Sequence, residues 1–234
     1  MKGMKAWVKL PTVWINAGGL QAFRWDPGKG SNNIAALLCL MVIAHHTDPG
    51  TGEASVTYDT IELATGMSRA KISGGLDVLE NLMLIERRVE KRRSTYKLVG
   101  MDPHAGWGAL PAKSLYSGKE ITFLRDFKLR SAIELNALKL YFLFVARRSR
   151  ETNSANISYD KIAEYSRIPR EKIRSALSLL VTHGLVHVDH IPSEQSKYGV
   201  SSVYRIPHIR PYQHLGTSGG RGGLPFIDAD DLPF

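Results

Sequence analysis

Two stretches decide the fold of this chain: VTYDTIELATGMSRAKISGGLDVLENLMLI at residues 56–85 and ISYDKIAEYSRIPREKIRSALSLLVTHGLV at residues 157–186. Displaced by 101 residues they align without a gap and agree at nine of thirty positions: Tyr58/Tyr159, Asp59/Asp160, Ile61/Ile162, Arg69/Arg170, Lys71/Lys172, Ile72/Ile173, Leu76/Leu177, Leu79/Leu180 and Leu84/Leu185. The register continues upstream, with Ala36-Leu37 over Ala137-Leu138. A one-residue shift then brings Leu10-Pro11 onto Leu110-Pro111 and Phe23 onto Phe123. One folding unit is used twice.

Within each copy the local signals come in the same order. An apolar helix, 34–45 and 135–147, is dense enough in bulky residues to be buried on most sides. A polar loop containing Pro49-Gly50 or Thr152-Asn153 leads into Ser55-Val-Thr-Tyr58 or Asn156-Ile-Ser-Tyr159, which starts as a strand and then caps a helix at Thr57 or Ser158. The helix from Tyr58 to Ala64 ends at Thr65-Gly66, where glycine supplies a left-handed turn, and the chain restarts at Ser68, another N-cap residue. Helix, tight turn and second helix result. In that second helix Ile72, Leu76 and Leu79 share one inward stripe, as do Ile173, Leu177 and Leu180. Arg69, Lys71, Ser73 and Gly74 are then left outside, and so are Arg170, Lys172, Arg174 and Ser175. A helix of this kind enters the major groove of duplex DNA, where Arg and Lys bond guanine O6 and N7.

A strand pair follows each helix. Residues 84–98, LIERRVEKRRSTYKL, concentrate six bases (Arg87, Arg88, Lys91, Arg92, Arg93 and Lys97) between bulky ends, the pattern of a β-ribbon with a cationic tip. Residues 185–206 repeat the plan with a longer, less charged tip that includes Lys197. The second helix also carries Glu171, which repels phosphate, so the second copy reads either as the weaker DNA binder or as a module that holds a partner.

These features resemble tandem winged-helix DNA-binding domains over about residues 10–210. Within that superfamily Leu138-Lys-Leu-Tyr141, Ile157-Ser-Tyr-Asp-Lys-Ile162 and Ala176-Leu-Ser-Leu-Leu180 resemble the two-domain replication initiators of plasmids, phages and related mobile elements. The expected fold is mainly α with small β-wings (α+β): one winged helix-turn-helix domain over residues 1–105, a second over 106–210, and a flexible tail over 211–234. The expected DNA-binding residues are Ser68, Arg69, Lys71, Ser73, Arg87, Arg88, Lys91, Arg92, Arg93, Arg170, Lys172, Arg174, Ser175 and Lys197.

Charge is divided unevenly between body and tail. The formal net charge is +9, yet residues 211–234 hold three acids and one base, so the first 210 residues carry +11. A basic body favours a polyanionic partner, with nucleic acid ahead of acidic membrane. The glycine-rich run 216–223 has little with which to build a core and reads as a linker. The terminus, Asp228-Ala-Asp-Asp-Leu-Pro-Phe234, resembles the acidic terminal peptide of bacterial single-stranded DNA-binding proteins. That resemblance implies that an apolar pocket of a partner holds Phe234 beside Pro233 and Leu232, while basic side chains bind the α-carboxylate and Asp228, Asp230 and Asp231. The internal Leu224-Pro-Phe226 lacks a free carboxylate.

Other chemistry is sparse. Cys39 stands alone inside an apolar run, as a buried small hydrophobe, which excludes an intrachain disulfide. Gly28-Lys-Gly-Ser31 lacks the upstream glycine of a phosphate loop, does not follow an apolar strand into a helix, and reads as a turn. His183, His187 and His190 are separated by a helix-breaking Gly184 and are not expected to share a metal. Trp7, Trp14, Trp25, Trp107, Tyr116 and Phe123 begin the two copies and read first as packing residues, with single-strand stacking as the alternative. No cofactor, metal or catalytic activity is expected. The longest apolar run, 34–44, is too short for a membrane crossing of roughly 20 residues, and a cytoplasmic protein associated with nucleoid or plasmid is expected. The expected partners are DNA, duplex first and single-stranded second, host replication and repair proteins that read such tails, and a second copy as a homodimer. Three functions follow in order: replication initiator or accessory protein of a mobile element, single-stranded DNA-binding protein, and transcriptional repressor.

Overall fold

The computed structural model describes residues 4–90, 93–102, 106–192 and 200–209. The first half runs β1 (Trp7–Pro11), α1 (Val13–Asn16), α2 (Gly30–His46), β2 (Glu53–Ser55), α3 (Tyr58–Thr65), α4 (Arg69–Asn81), β3 (Ile85–Glu90) and β4 (Arg93–Leu98). The second runs β5 (Trp107–Pro111), β6 (Tyr116–Ser117), β7 (Glu120–Ile121), α5 (Ala132–Arg147), β8 (Ser154–Asn156), α6 (Tyr159–Ser166), α7 (Arg170–Thr182), β9 (His187–Pro192) and β10 (Val200–Arg205). Each half closes with a three-stranded antiparallel sheet, ordered β2-β4-β3 and β8-β10-β9. The molecule is α+β, two winged helix-turn-helix units in tandem.

The expected local devices are in place. Thr57 Oγ1 accepts from the Thr60 amide at 3.1 Å, and Ser158 Oγ from the Lys161 amide at 3.3 Å, each satisfying an orphan donor of a helix start. Gly66 ends α3 at φ +70°, and in the second half Arg167 takes the same left-handed position at φ +54°. Ser68 caps α4 through the Lys71 amide, whereas α7 starts after Pro169 with no side-chain cap. The inward stripes are buried as expected: Ile72, Leu76 and Leu79 in α4, and Ile173, Leu177 and Leu180 in α7.

Helix α2 begins four residues earlier than its apolar run. Gly28 and Lys29 lie in a turn, as expected, and Gly30 and Ser31 open α2 directly after it. A Cβ on Gly75 would lie 2.7 Å from the Ala35 carbonyl carbon, so α4 crosses α2 backbone against backbone. Gly74 is likewise turned toward α2, where a Cβ would meet the Asn32 side chain at 2.8 Å, so it does not belong to the outward face. The second half has buried Ala176 where the first has Gly75.

The halves are joined by contacts that repeat with exchanged roles. Strand β1 pairs antiparallel with β5, Trp7 opposite Pro111, Lys9 opposite Ala109 and Pro11 opposite Trp107. Because these strands are equivalent in the two copies, their pairing has an approximate two-fold axis at Lys9/Ala109. Helix α2 packs on α5 about the same axis. Helix α3 lies against β7 of the second half, and α6 lies against the 3-10 turn Gly19–Ala22 of the first, at equivalent places in the repeat. Buried residues of both halves form one continuous hydrophobic cluster. The architecture is that of a two-fold dimer written into one chain.

Polar ties reinforce the junction. His45 is buried and its Nε2 lies 2.9 Å from the Pro111 carbonyl oxygen, which can only accept, so Nε2 carries the proton. Its Nδ1 then accepts from the Tyr116 hydroxyl at 2.9 Å. Burial holds the His45 pKa down to about 3 and keeps the ring neutral. Lys139, buried on α5, donates to the Phe23 carbonyl at 2.9 Å, and burial lowers its pKa to about 8.

Candidate nucleic-acid interface

In the first half Arg69 forms an exposed ion pair with Asp59 on α3, and its Nε lies 3.7 Å from Glu62. Arg170 forms the same pair with Asp160. Both partners of each pair are among the residues identical between the copies, which marks the pair as part of the repeated plan. Exposed pairs are worth only about 0.2–1 kcal/mol, so they orient the two helices and can open toward a phosphate at little cost.

Lys71 and Lys172 share a position and differ in environment. Lys71 Nζ donates to Ser31 Oγ at 2.6 Å and to Asn32 Oδ1 at 3.2 Å, and is half-buried against the start of α2. The second half has Ala132 and Ile133 where the first has Ser31 and Asn32, so the same anchor is missing. Lys172 and Arg174 are exposed, and among the described residues neither has an ion pair or a side-chain hydrogen bond. Ser73 and Ser175 are half-buried, and Ser68 is exposed at its cap. The fold thus brings Arg170, Lys172, Arg174 and Ser175 together near the start of α7, with Glu171 exposed among them.

The first wing divides its bases. Arg87 donates to the Tyr58 hydroxyl at 2.9 Å and lies 3.8 Å from Asp77 and 3.7 Å from Glu80, with its side chain 18% exposed. It clamps the wing to α3 and α4 instead of projecting outward. Arg88 projects, with its side chain 66% exposed and 4.0 Å from Glu53, and Lys97 is exposed on β4. Arg93 opens β4. Lys91, Arg92 and Lys197 lie outside the described residues, as do Asp228, Asp230, Asp231, Leu232, Pro233 and Phe234. On the second wing Arg205 pairs with Asp189 at 2.8 Å across the strands, and His187 and His190 are exposed.

The aromatic residues mostly pack. Trp14 meets Phe23, Tyr116 meets His45, and Phe123 packs edge-on to Phe127 and beside His183. Trp7 and Trp107 stack across the two-fold axis with ring centroids 5.6 Å apart, a pairing not anticipated from the sequence. Its signal is the shift that overlays Leu10-Pro11 on Leu110-Pro111, which also overlays Trp7 on Trp107. Cys39 is buried and burial pushes its thiol pKa up, so it behaves as the small hydrophobe expected. Among the described residues no group of three or more His, Cys, Asp and Glu is placed to hold a metal, and no helix is long and apolar enough to cross a membrane.

No family model matches the chain, and no curated protein matches it.

Proposed function

We propose that the protein binds duplex DNA through both recognition helices, as a replication initiator or accessory protein of a mobile element, and recruits host replication or repair proteins through Asp228, Asp230, Asp231 and the Leu232-Pro-Phe234 terminus. The observation that carries the reading is the repeated, outward-facing helix start: Arg69 in one half, and Arg170, Lys172 and Arg174 in the other, each following a helix and a tight turn. The approximate two-fold relation between the halves favours two half-sites in inverted orientation. Those half-sites would differ, because Ala70, Ser73 and Gly74 are replaced by Glu171, Arg174 and Ser175. Wing cations such as Arg88 and Lys97 would add phosphate contacts that position the helices without reading sequence.

A salt series tests this. Binding to a preferred duplex should weaken steeply with added salt, and each phosphate-contacting cation removed should lower the log-log slope by about 0.9. Charge reversal at Arg92 and Arg93 that left affinity and slope unchanged would remove the wing from the reading. Truncation before Asp228 should abolish capture of a tail-reading host protein while duplex affinity persists.

A further inference from the structure

Around the Trp7–Trp107 stack the two-fold relation breaks. Trp107 is already covered by cations: the Arg150 guanidinium lies 4.4 Å from its ring centroid and Lys9 Nζ lies 4.9 Å away. Arg150 stands in the loop after α5, and the equivalent place after α2 is Pro49. The equivalence is structural as well as sequential. The amides of Asp48 and Ser149 both donate across their loops, to the Glu53 and Ser154 carbonyls, at 2.8 Å.

With proline in place of arginine, the Trp7 side stays open. Trp7 is 38% exposed and helps line a cavity of about 350 Å³ with Lys5, Lys9, Thr47, Pro49 and Met101. Pro49, Met101 and the indole give it apolar walls, and the cationic side chains of Lys5 and Lys9 line it as well, Lys9 with its Nζ over Trp107. The neighbouring Asp48 carboxylate is held in its own turn, accepting from the amides of Gly50 at 2.8 Å and Thr51 at 3.0 Å.

We propose that this cavity seats one unpaired nucleobase of a DNA or RNA strand, stacked on Trp7, with its phosphate held by Lys5 and Lys9. A planar π-face beside cations is the chemistry that holds single-stranded nucleic acid without regard to sequence, since every base has such a face. Arg150 on Trp107 shows the same indole pair accepting a planar cationic group. The site lies on the β1–β5 ribbon, so it is distinct from the recognition helices and adds an unpaired-strand contact to the duplex contacts.

The test uses the full chain, titrated with an oligothymidylate of about eight nucleotides while tryptophan fluorescence is followed. Wild type should quench saturably. Trp7→Ala should lower affinity for the oligonucleotide about tenfold or more. Trp7→Phe should restore most of that affinity, and Lys5→Glu with Lys9→Glu should weaken binding and flatten its salt dependence. Pro49→Arg, which sets on Trp7 the group that Arg150 sets on Trp107, should block the oligonucleotide. All of these changes should leave affinity for the preferred duplex intact, which separates failure of this site from failure of the duplex reading. Unchanged oligonucleotide binding in both Trp7→Ala and Pro49→Arg would overturn the proposal. So would quenching by a peptide of residues 228–234 with none by the oligonucleotide. The last result would assign the cavity to the chain's own terminus.

Discussion

Lys71 and Lys172 occupy one position in two copies of one fold. Lys71 is tied to Ser31 and Asn32, while Lys172 extends from the surface beside Arg174. By composition the first half reads as the stronger candidate for DNA binding, because it has the cationic wing and no counterpart of Glu171. Geometry redistributes that charge: Lys71 is bound to α2, Arg87 is clamped by Tyr58 and two carboxylates, and the freer helix cations belong to the second half. Counting bases therefore misjudges a recognition surface. The number that matters is how many cations have no partner within the fold.

The comparison can be broken most strongly at α7. Replacing Lys172 and Arg174 together with Ala should reduce affinity for the preferred duplex by about 1–3 kcal/mol for each base-edge interaction removed, read by gel shift or fluorescence anisotropy. Lys71→Ala should have a much smaller effect. Exchanging Ser31→Ala and Asn32→Ile, which gives the first half the residues of the second, should free Lys71 and raise the salt slope by about 0.9.

Packing differs between the halves as well. Gly75→Ala drives a methyl into the α2 backbone and should cost about 1–3 kcal/mol in denaturant unfolding, whereas Ala176→Gly in the other half should cost about 1–2 kcal/mol, from helix propensity and the buried methyl lost.

A third difference lies in His45, whose equivalent in the second half is Ala146. Its pKa in the fold is about 3 against an ordinary 6.5, so the unfolded chain takes up a proton in that window which the folded chain refuses. Stability is therefore fully present above pH 6.5 and falls as pH drops toward 3, by at most about 1.4 kcal/mol per pH unit from this group. His45→Gln should flatten that slope in urea melts at successive pH values. The smallest expected effect is at Met83, at φ +52° where the second half has Gly184 at φ +64°. Met83→Gly should raise stability by a few tenths to about 1 kcal/mol, relief of the left-handed strain offsetting the backbone entropy of glycine.

Much of this was legible in the sequence because the repeat acts as an internal control. Positions identical in both copies include the core stripe and the Arg69–Asp59 type of pair, and the caps at Thr57, Ser68 and Ser158 follow from short-range chemistry. Long-range partners were less legible. Gly74 and Gly75 carry no side chain to show that they face α2, and nothing near Lys71 announces Ser31, forty residues away. The β1–β5 ribbon and its tryptophans were hidden for the same reason. Pairing between distant strands leaves no periodic signal, and the repeat register reveals it only when carried past Leu10 to Trp7.

The proposal that two helices read DNA about one approximate two-fold axis is tested most directly by selecting bound duplexes from a random pool with the full chain. The expected result is an enriched imperfect inverted repeat, with enrichment of one half-site abolished when Lys172 and Arg174 are replaced by Ala. Absence of any enriched duplex, together with sequence-independent binding to single strands that is tighter than to duplex, would contradict it.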